Sequence, residues 1–174
     1  DNPIEKMTMA QVEAVFSKSR KRGHKEDIKT WGQLGLTGDW ASRPMSVYGR
    51  NSASGTYGFF KEFALKNGDY KNTVKEQPGS ASVVQGITED RFGIGYGGAA
   101  YGKGVRECAV KKDAGSPAIL PSAATVQDGS YPITRLLYFY TRTKPGGPAK
   151  QFIDWVLSAE GQKLATQVGY FPVR

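Results

Sequence analysis

Between Met45 and Lys66 the chain passes from a short extended run, Met45-Ser46-Val47-Tyr48-Gly49, through a turn rich in hydroxyls and glycine, into Tyr57-Gly58-Phe59-Phe60-Lys61-Glu62-Phe63-Ala64-Leu65-Lys66. The last segment sets Phe59, Phe60, Phe63 and Ala64 on one face at helical spacing, so a strand, a turn and a helix are expected in that order. The same alternation continues. Met9, Val12, Val15 and Phe16 form the stripe of a short helix, with Thr8 as N-cap and Gln11 three residues on, as in a capping box. A helix is expected over Ser82–Ile87, a glycine-rich strand over Phe92–Gly97, and the strongest strand over Ser130–Thr141. Pro145-Gly146-Gly147-Pro148 then breaks the chain before an amphipathic helix at Ala149–Leu157, and a last helix through Gln162–Ala165 ends near Gly169. Strands alternating with helices define an α/β chain.

Composition narrows the chemistry. With 174 residues, 39% of them hydrophobic, the chain has material for one domain or two small lobes. Its apolar runs are too short to span a bilayer, so it reads as soluble, any export signal having been removed or never present. Net charge is +8, which attracts anions of every size. Lys18-Ser19-Arg20-Lys21-Arg22-Gly23-His24-Lys25 holds five Lys or Arg in eight residues and reads as a solvated loop, with a nucleic-acid or membrane patch as the alternative. One cysteine and one histidine give no disulfide and no ordinary zinc site, and no cofactor is expected. Cys108, in the alternating Arg106-Glu107-Cys108-Ala109-Val110, reads as a strand residue rather than a nucleophile.

Three enzymatic readings fail on context. Gly93-Ile94-Gly95-Tyr96-Gly97-Gly98 satisfies G-x-G-x-x-G, but its glycines lie within a strand-like run and no good helix follows, so close backbone approach is the better explanation. A phosphate loop needs four residues between its glycines and a lysine after the second; Gly49 and Gly55 enclose five, and no lysine follows. There is no G-x-S-x-G elbow, and His24 lies in the basic loop.

The turn itself carries physical content. If Ser54 caps the following helix, the amides of Gly55, Thr56 and Tyr57 emerge at the positive end of its dipole. The hydroxyls of Ser54 and Thr56 can donate, Gly55 lets an oxyanion approach the backbone, and Arg50 offers a bidentate fork. On these residues alone, an oxyanion cradle and a plain N-cap beside a surface arginine stand level.

Gly49-Arg50-Asn51-Ser52-Ala53-Ser54-Gly55-Thr56 resembles the G-R-x-x-x-S-G-T signature of the phosphate-specific substrate-binding proteins of bacterial ABC importers. The resemblance extends to Asn2-Pro3 with Met7–Ser17, Thr30-Trp31, Gly93–Tyr96, Gly129–Arg135, and Phe152–Ser158 with Glu160-Gly161-Gln162 and Gly169–Pro172. It implies a class II periplasmic-binding-protein fold, two α/β lobes with the anion in the cleft. Arg50, Ser54, Gly55 and Thr56 would be phosphate ligands. Ser52, where some relatives carry an aspartate that steadies the arginine, is a further candidate, and its lack of charge leaves Arg50 less firmly oriented. The resemblance also implies export to the periplasm or cell surface and delivery of phosphate to a membrane permease.

Against that family the chain lacks an opening segment. It corresponds to a second lobe over residues 1–130, followed over 131–174 by the return strand and terminal helices of the first lobe. The missing wall would come from a longer protein or another chain, and with it the carboxylate by which the family separates phosphate from sulfate. A nucleic-acid or polyanion module, and an adhesion, biofilm or signalling role on the same scaffold, are the alternatives.

Overall fold

The computed structural model describes residues 2–173 and divides into two units, Asp1–Leu120 and Pro121–Arg174.

In the first unit β1 (Lys6–Thr8) leads directly into α1 (Met9–Phe16), whose capping box is formed: Thr8 Oγ1 accepts the Gln11 amide and Gln11 Oε1 accepts the Thr8 amide. The basic loop follows, then two 3₁₀ turns, Trp31–Leu34 and Gly38–Trp40. Trp31 is fully buried, and its indole N–H donates to the Phe92 carbonyl at 3.2 Å. Next come β2 (Ser46–Arg50), α2 (Gly55–Phe59), β3 (Val74–Gln77), α3 (Ser80–Glu89) and β4 (Gly93–Gly95). The pair β5 (Ala109–Lys111) and β6 (Ala118–Ile119) completes the unit.

Two small sheets result. One has the order β3-β2-β4 and is wholly parallel, with Val47 opposite Val74 on one side and Ile94 on the other. The second has β5 between a parallel β1 and an antiparallel β6. A parallel pair requires a crossover, and α2 and α3 are those crossovers. The glycines of 93–98 serve that packing. A Cβ on Gly95 would stand 2.8 Å from Val83 Cγ1 of α3, and one on Gly97 would stand 3.2 Å from Ser80 Oγ. Close helix–strand approach, not dinucleotide binding, accounts for this run.

Helix α2 departs from simple spacing. After Phe59 it widens into a π turn over Phe60–Ala64, which shifts the buried face: Phe60 and Ala64 are inside, while Phe63 is exposed. Cys108 lies one residue before β5, and burial pushes its thiol up to about 11.

The basic loop is exposed at Lys18, Arg20, Lys21 and Lys25, yet it is tied down from beneath. The fully buried Glu13 carboxylate accepts the amides of Lys21 and Arg22 and the Ser19 hydroxyl, a set that offsets the cost of burying the charge. The Arg22 guanidinium in turn donates to the carbonyls of Phe63 and Ala64, the unpaired acceptors at the end of the α2 body.

The second unit contains α4 (Ala123–Gln127), α5 (Gly147–Val156) and α6 (Ala159–Gln167). Both terminal helices lie where the sequence places them, and Gly169 ends the last with a φ of 86°. The strand expected over Ser130–Thr141 does not form. A strand exists only when its backbone groups meet a neighbour's, and the described residues provide none for this segment. Leu136, Leu137, Tyr138, Phe139 and Tyr140 are all exposed.

Candidate oxyanion site

Because β2, β3 and β4 run parallel, their carboxyl ends share one edge of the sheet, where open α/β sheets bind ligands. Arg50 is the last residue of β2, in register with Gln77 at the end of β3, and the Asn51 amide continues the pairing to the Gln77 carbonyl at 3.0 Å. Three segments leave this edge: Asn51–Ser54 into α2, Pro78-Gly79 into α3, and Tyr96–Gly98 after β4.

Ser54 is the N-cap of α2, extended at φ −88° and ψ 129°, and its hydroxyl oxygen accepts the Thr56 amide at 3.1 Å. The cap changes the donor set anticipated from sequence, because the Thr56 amide is already engaged. The amides of Gly55 and Tyr57 lie in the first turn, which has no intrahelical acceptor, and the Ser54 and Thr56 hydroxyls retain their protons. The first turn is held from behind. Tyr96 donates to the Tyr70 hydroxyl at 2.9 Å, and Tyr70 donates to the Tyr57 carbonyl at 2.9 Å. Burial, the first cause in each case, raises both phenols above the ordinary tyrosine value, so they stay neutral donors. The Phe60 and Tyr96 rings stack at 3.9 Å between centroids.

Arg50 is directed toward the start of α3. Its Nη1 donates to Ser80 Oγ at 3.0 Å and its Nη2 to the Pro78 carbonyl at 3.1 Å. Its Nε is buried without a hydrogen-bond partner, and among the described residues no carboxylate forms an ion pair with the guanidinium. Ser52 is exposed and makes no bond to Arg50, so the arginine takes its orientation from α3 rather than from position 52. The edge therefore collects an uncompensated guanidinium, two free hydroxyl protons and the positive ends of two helices. Guanidinium, hydroxyl and helix-start donors of this kind are chemically suited to an oxyanion, and among the described residues at this edge no nucleophile–base pair is present.

Sequence reasoning missed Ser80 and the Gly98 amide, which donates to Ser80 Oγ at 3.1 Å. Pro78-Gly79 before a serine is a helix-start signal, but only the β2–β3 pairing brings it to Arg50. Clefts of about 270 and 220 Å³ lie elsewhere, one lined by Trp155, Glu160, Lys163 and Leu164, the other by Thr8, Arg22, Lys66 and Lys112. Arg50 lines neither cleft.

The mixed α/β fold is of the class II periplasmic-binding-protein type. The chain belongs to the PBP superfamily, whose domain model matches residues 1–160. It is 47% identical to the phosphate-binding protein PstS of Pseudomonas aeruginosa over 99% of its own length and 55% of that protein's. It is 26% identical to protein SphX of Synechococcus elongatus over 99% of its length and 51% of that protein's. Among solved structures, a substrate-binding protein with bound phosphate from Clostridium perfringens matches with a TM-score of 0.77 at 22% identity, covering all of this chain and 65% of the other. An ABC-type phosphate transport receptor from Vibrio cholerae matches at 0.68 and 20%, covering 98% and 65%. These structural likenesses establish the fold. The chain spans about half the length of the curated relatives it matches.

Proposed function

We propose that this chain binds inorganic phosphate without covalent chemistry, as one wall of a cleft that closes around the anion. Arg50 supplies a charged fork, Ser54 and Thr56 donate through their hydroxyls, and Gly55 donates its amide and leaves room for the oxygen to approach. Ser52 stands beside them as a weaker contributor. The observation that carries this reading is the placement of Arg50: oriented by two hydrogen bonds, unpaired with any carboxylate, and set at the edge from which the capped helix starts. A buried guanidinium nitrogen without an acceptor is costly unless an anion completes it.

Residues 1–130 form the second lobe and 131–174 the return strand and terminal helices of the first. The opposite wall comes from residues that the longer relatives carry beyond the matched half. The exposed run Leu136–Tyr140 supports this assignment, since a run of successive apolar residues is what a central strand, covered on both faces, requires. In the whole protein, exported to the periplasm or cell surface, bound phosphate passes to the permease of an ABC importer. The basic loop favours no polyanion role: Lys21 Nζ and the Arg22 guanidinium are engaged with backbone carbonyls.

Isothermal titration of the chain with phosphate, and with duplex DNA at two salt concentrations, tests the proposal. Phosphate heat that disappears in Arg50→Ala is the expected result. Salt-sensitive DNA binding without phosphate binding overturns it.

A further inference from the structure

We propose that Ser80 is the positioning residue for Arg50, fixing the guanidinium at the sheet edge and joining the three segments that leave it. This deepens the phosphate-binding reading and rests on it for its functional consequence, though not for its geometry.

Ser80 opens α3, a helix of ten residues, and is 5% exposed. Its hydroxyl oxygen accepts twice, from Arg50 Nη1 at 3.0 Å and from the Gly98 amide at 3.1 Å. A serine oxygen has two acceptor positions, and both are filled by donors lying 30 residues behind it and 18 ahead of it in the chain. The end of β2, the start of α3 and the segment after β4 therefore meet at one oxygen. Close approach is built in, because residue 97 is glycine and any Cβ there would crowd the Ser80 hydroxyl. Arg50 has one other anchor, the Pro78 carbonyl, and a guanidinium held at a single nitrogen turns about that bond. Two anchors on different nitrogens fix the plane of the fork and hence the direction of its remaining N–H groups. Ser52, uncharged and exposed, does not perform this task.

The test uses the full chain with Arg50 observed directly by nitrogen-15 NMR of its side chain, alongside phosphate titration. In Ser80→Ala, rotation of the Arg50 guanidinium becomes faster than in the parent protein, and phosphate affinity falls about tenfold, the effect of losing one hydrogen bond to a charged group. Ser80→Cys keeps a side chain of similar size with a weaker acceptor, gives an intermediate result, and serves if the alanine variant does not fold. Unchanged Arg50 dynamics in both variants overturn the proposal, whatever the affinity does. Reduced affinity with unchanged Arg50 signals would mean that Ser80 meets the anion itself. If the parent chain binds no phosphate, the functional reading falls, and the Arg50 signals still decide whether Ser80 positions it.

Discussion

Trp31 and Trp155 belong to the same residue type, as do Tyr96 and Tyr140, yet Trp31 is 0% and Tyr96 9% exposed while Trp155 is 40% and Tyr140 91% exposed. The first pair sits in the unit Asp1–Leu120, where sheet, crossover helices and 3₁₀ turns cover one another. The second sits in Pro121–Arg174, where Leu136–Tyr140, Phe152, Trp155 and Leu164 are all exposed. Apolar content is not what separates the units. An amphipathic element buries its apolar face only against a partner, and the first unit contains its own partners, some of them as distant in sequence as β1 and β5. The edge that carries Arg50 falls in the unit with the buried core, as a site that must hold a guanidinium in one orientation requires.

The contrast can be broken by substitution. Trp31→Ala removes a fully buried ring and its hydrogen bond, and should cost about 3–5 kcal/mol in urea unfolding monitored in the first unit. A loss below about 1 kcal/mol would mean that Trp31 is not a core residue. Glu13→Gln comes next. One of its oxygens becomes an amide group facing an N–H or O–H donor, so a loss of about 2 kcal/mol is expected in the same assay, with faster amide exchange at Lys21 and Arg22.

Acid unfolding gives a smaller, signed effect. Burial alone would raise Asp90, but donation from Ser46, Tyr48 and the Phe92 amide, with the Lys75 charge nearby, holds its carboxyl below the ordinary range. A lowered folded-state value contributes stability above the unfolded carboxyl value, about pH 4, and loses it as pH falls through the folded value. Asp90→Asn should therefore be less stable at neutral pH and show a flatter stability profile below about pH 4. An unchanged profile would remove Asp90 from the account. At the small end, Tyr140→Ala should alter unfolding of the described chain by no more than about 0.5 kcal/mol, because the ring covers nothing. A large loss there would contradict an exposed Tyr140 ring.

What could be read from residue order alone follows the same division. The α1 capping box, the buried Trp31 turn and the Ser54 cap rest on residues a few positions apart, so the sequence carries them directly. The π turn at Phe60–Ala64 does not announce itself, since simple helical spacing predicts a regular helix there and an exposed Phe63 is its visible consequence. The strand over Ser130–Thr141 fails for a different reason: β-propensity describes a residue's fit to a pleated surface, and that surface must be supplied by other strands. Arg50, Ser54, Gly55 and Thr56 stand out by type and spacing. Ser80 and Gly98 do not, because they reach Arg50 only through parallel pairing across crossovers.

The central claim, that residues at the Arg50 edge form one wall of a phosphate cleft, meets its most direct test in a pair of affinities. Phosphate binding is measured for the chain as it stands and for the same chain extended by the residues its relatives carry beyond the matched half. Donors on one wall leave the anion solvated on its other side, so the shorter chain should bind at least about 100-fold more weakly, a difference of about 2.7 kcal/mol. Submicromolar binding by the shorter chain, or equal affinities, would contradict it.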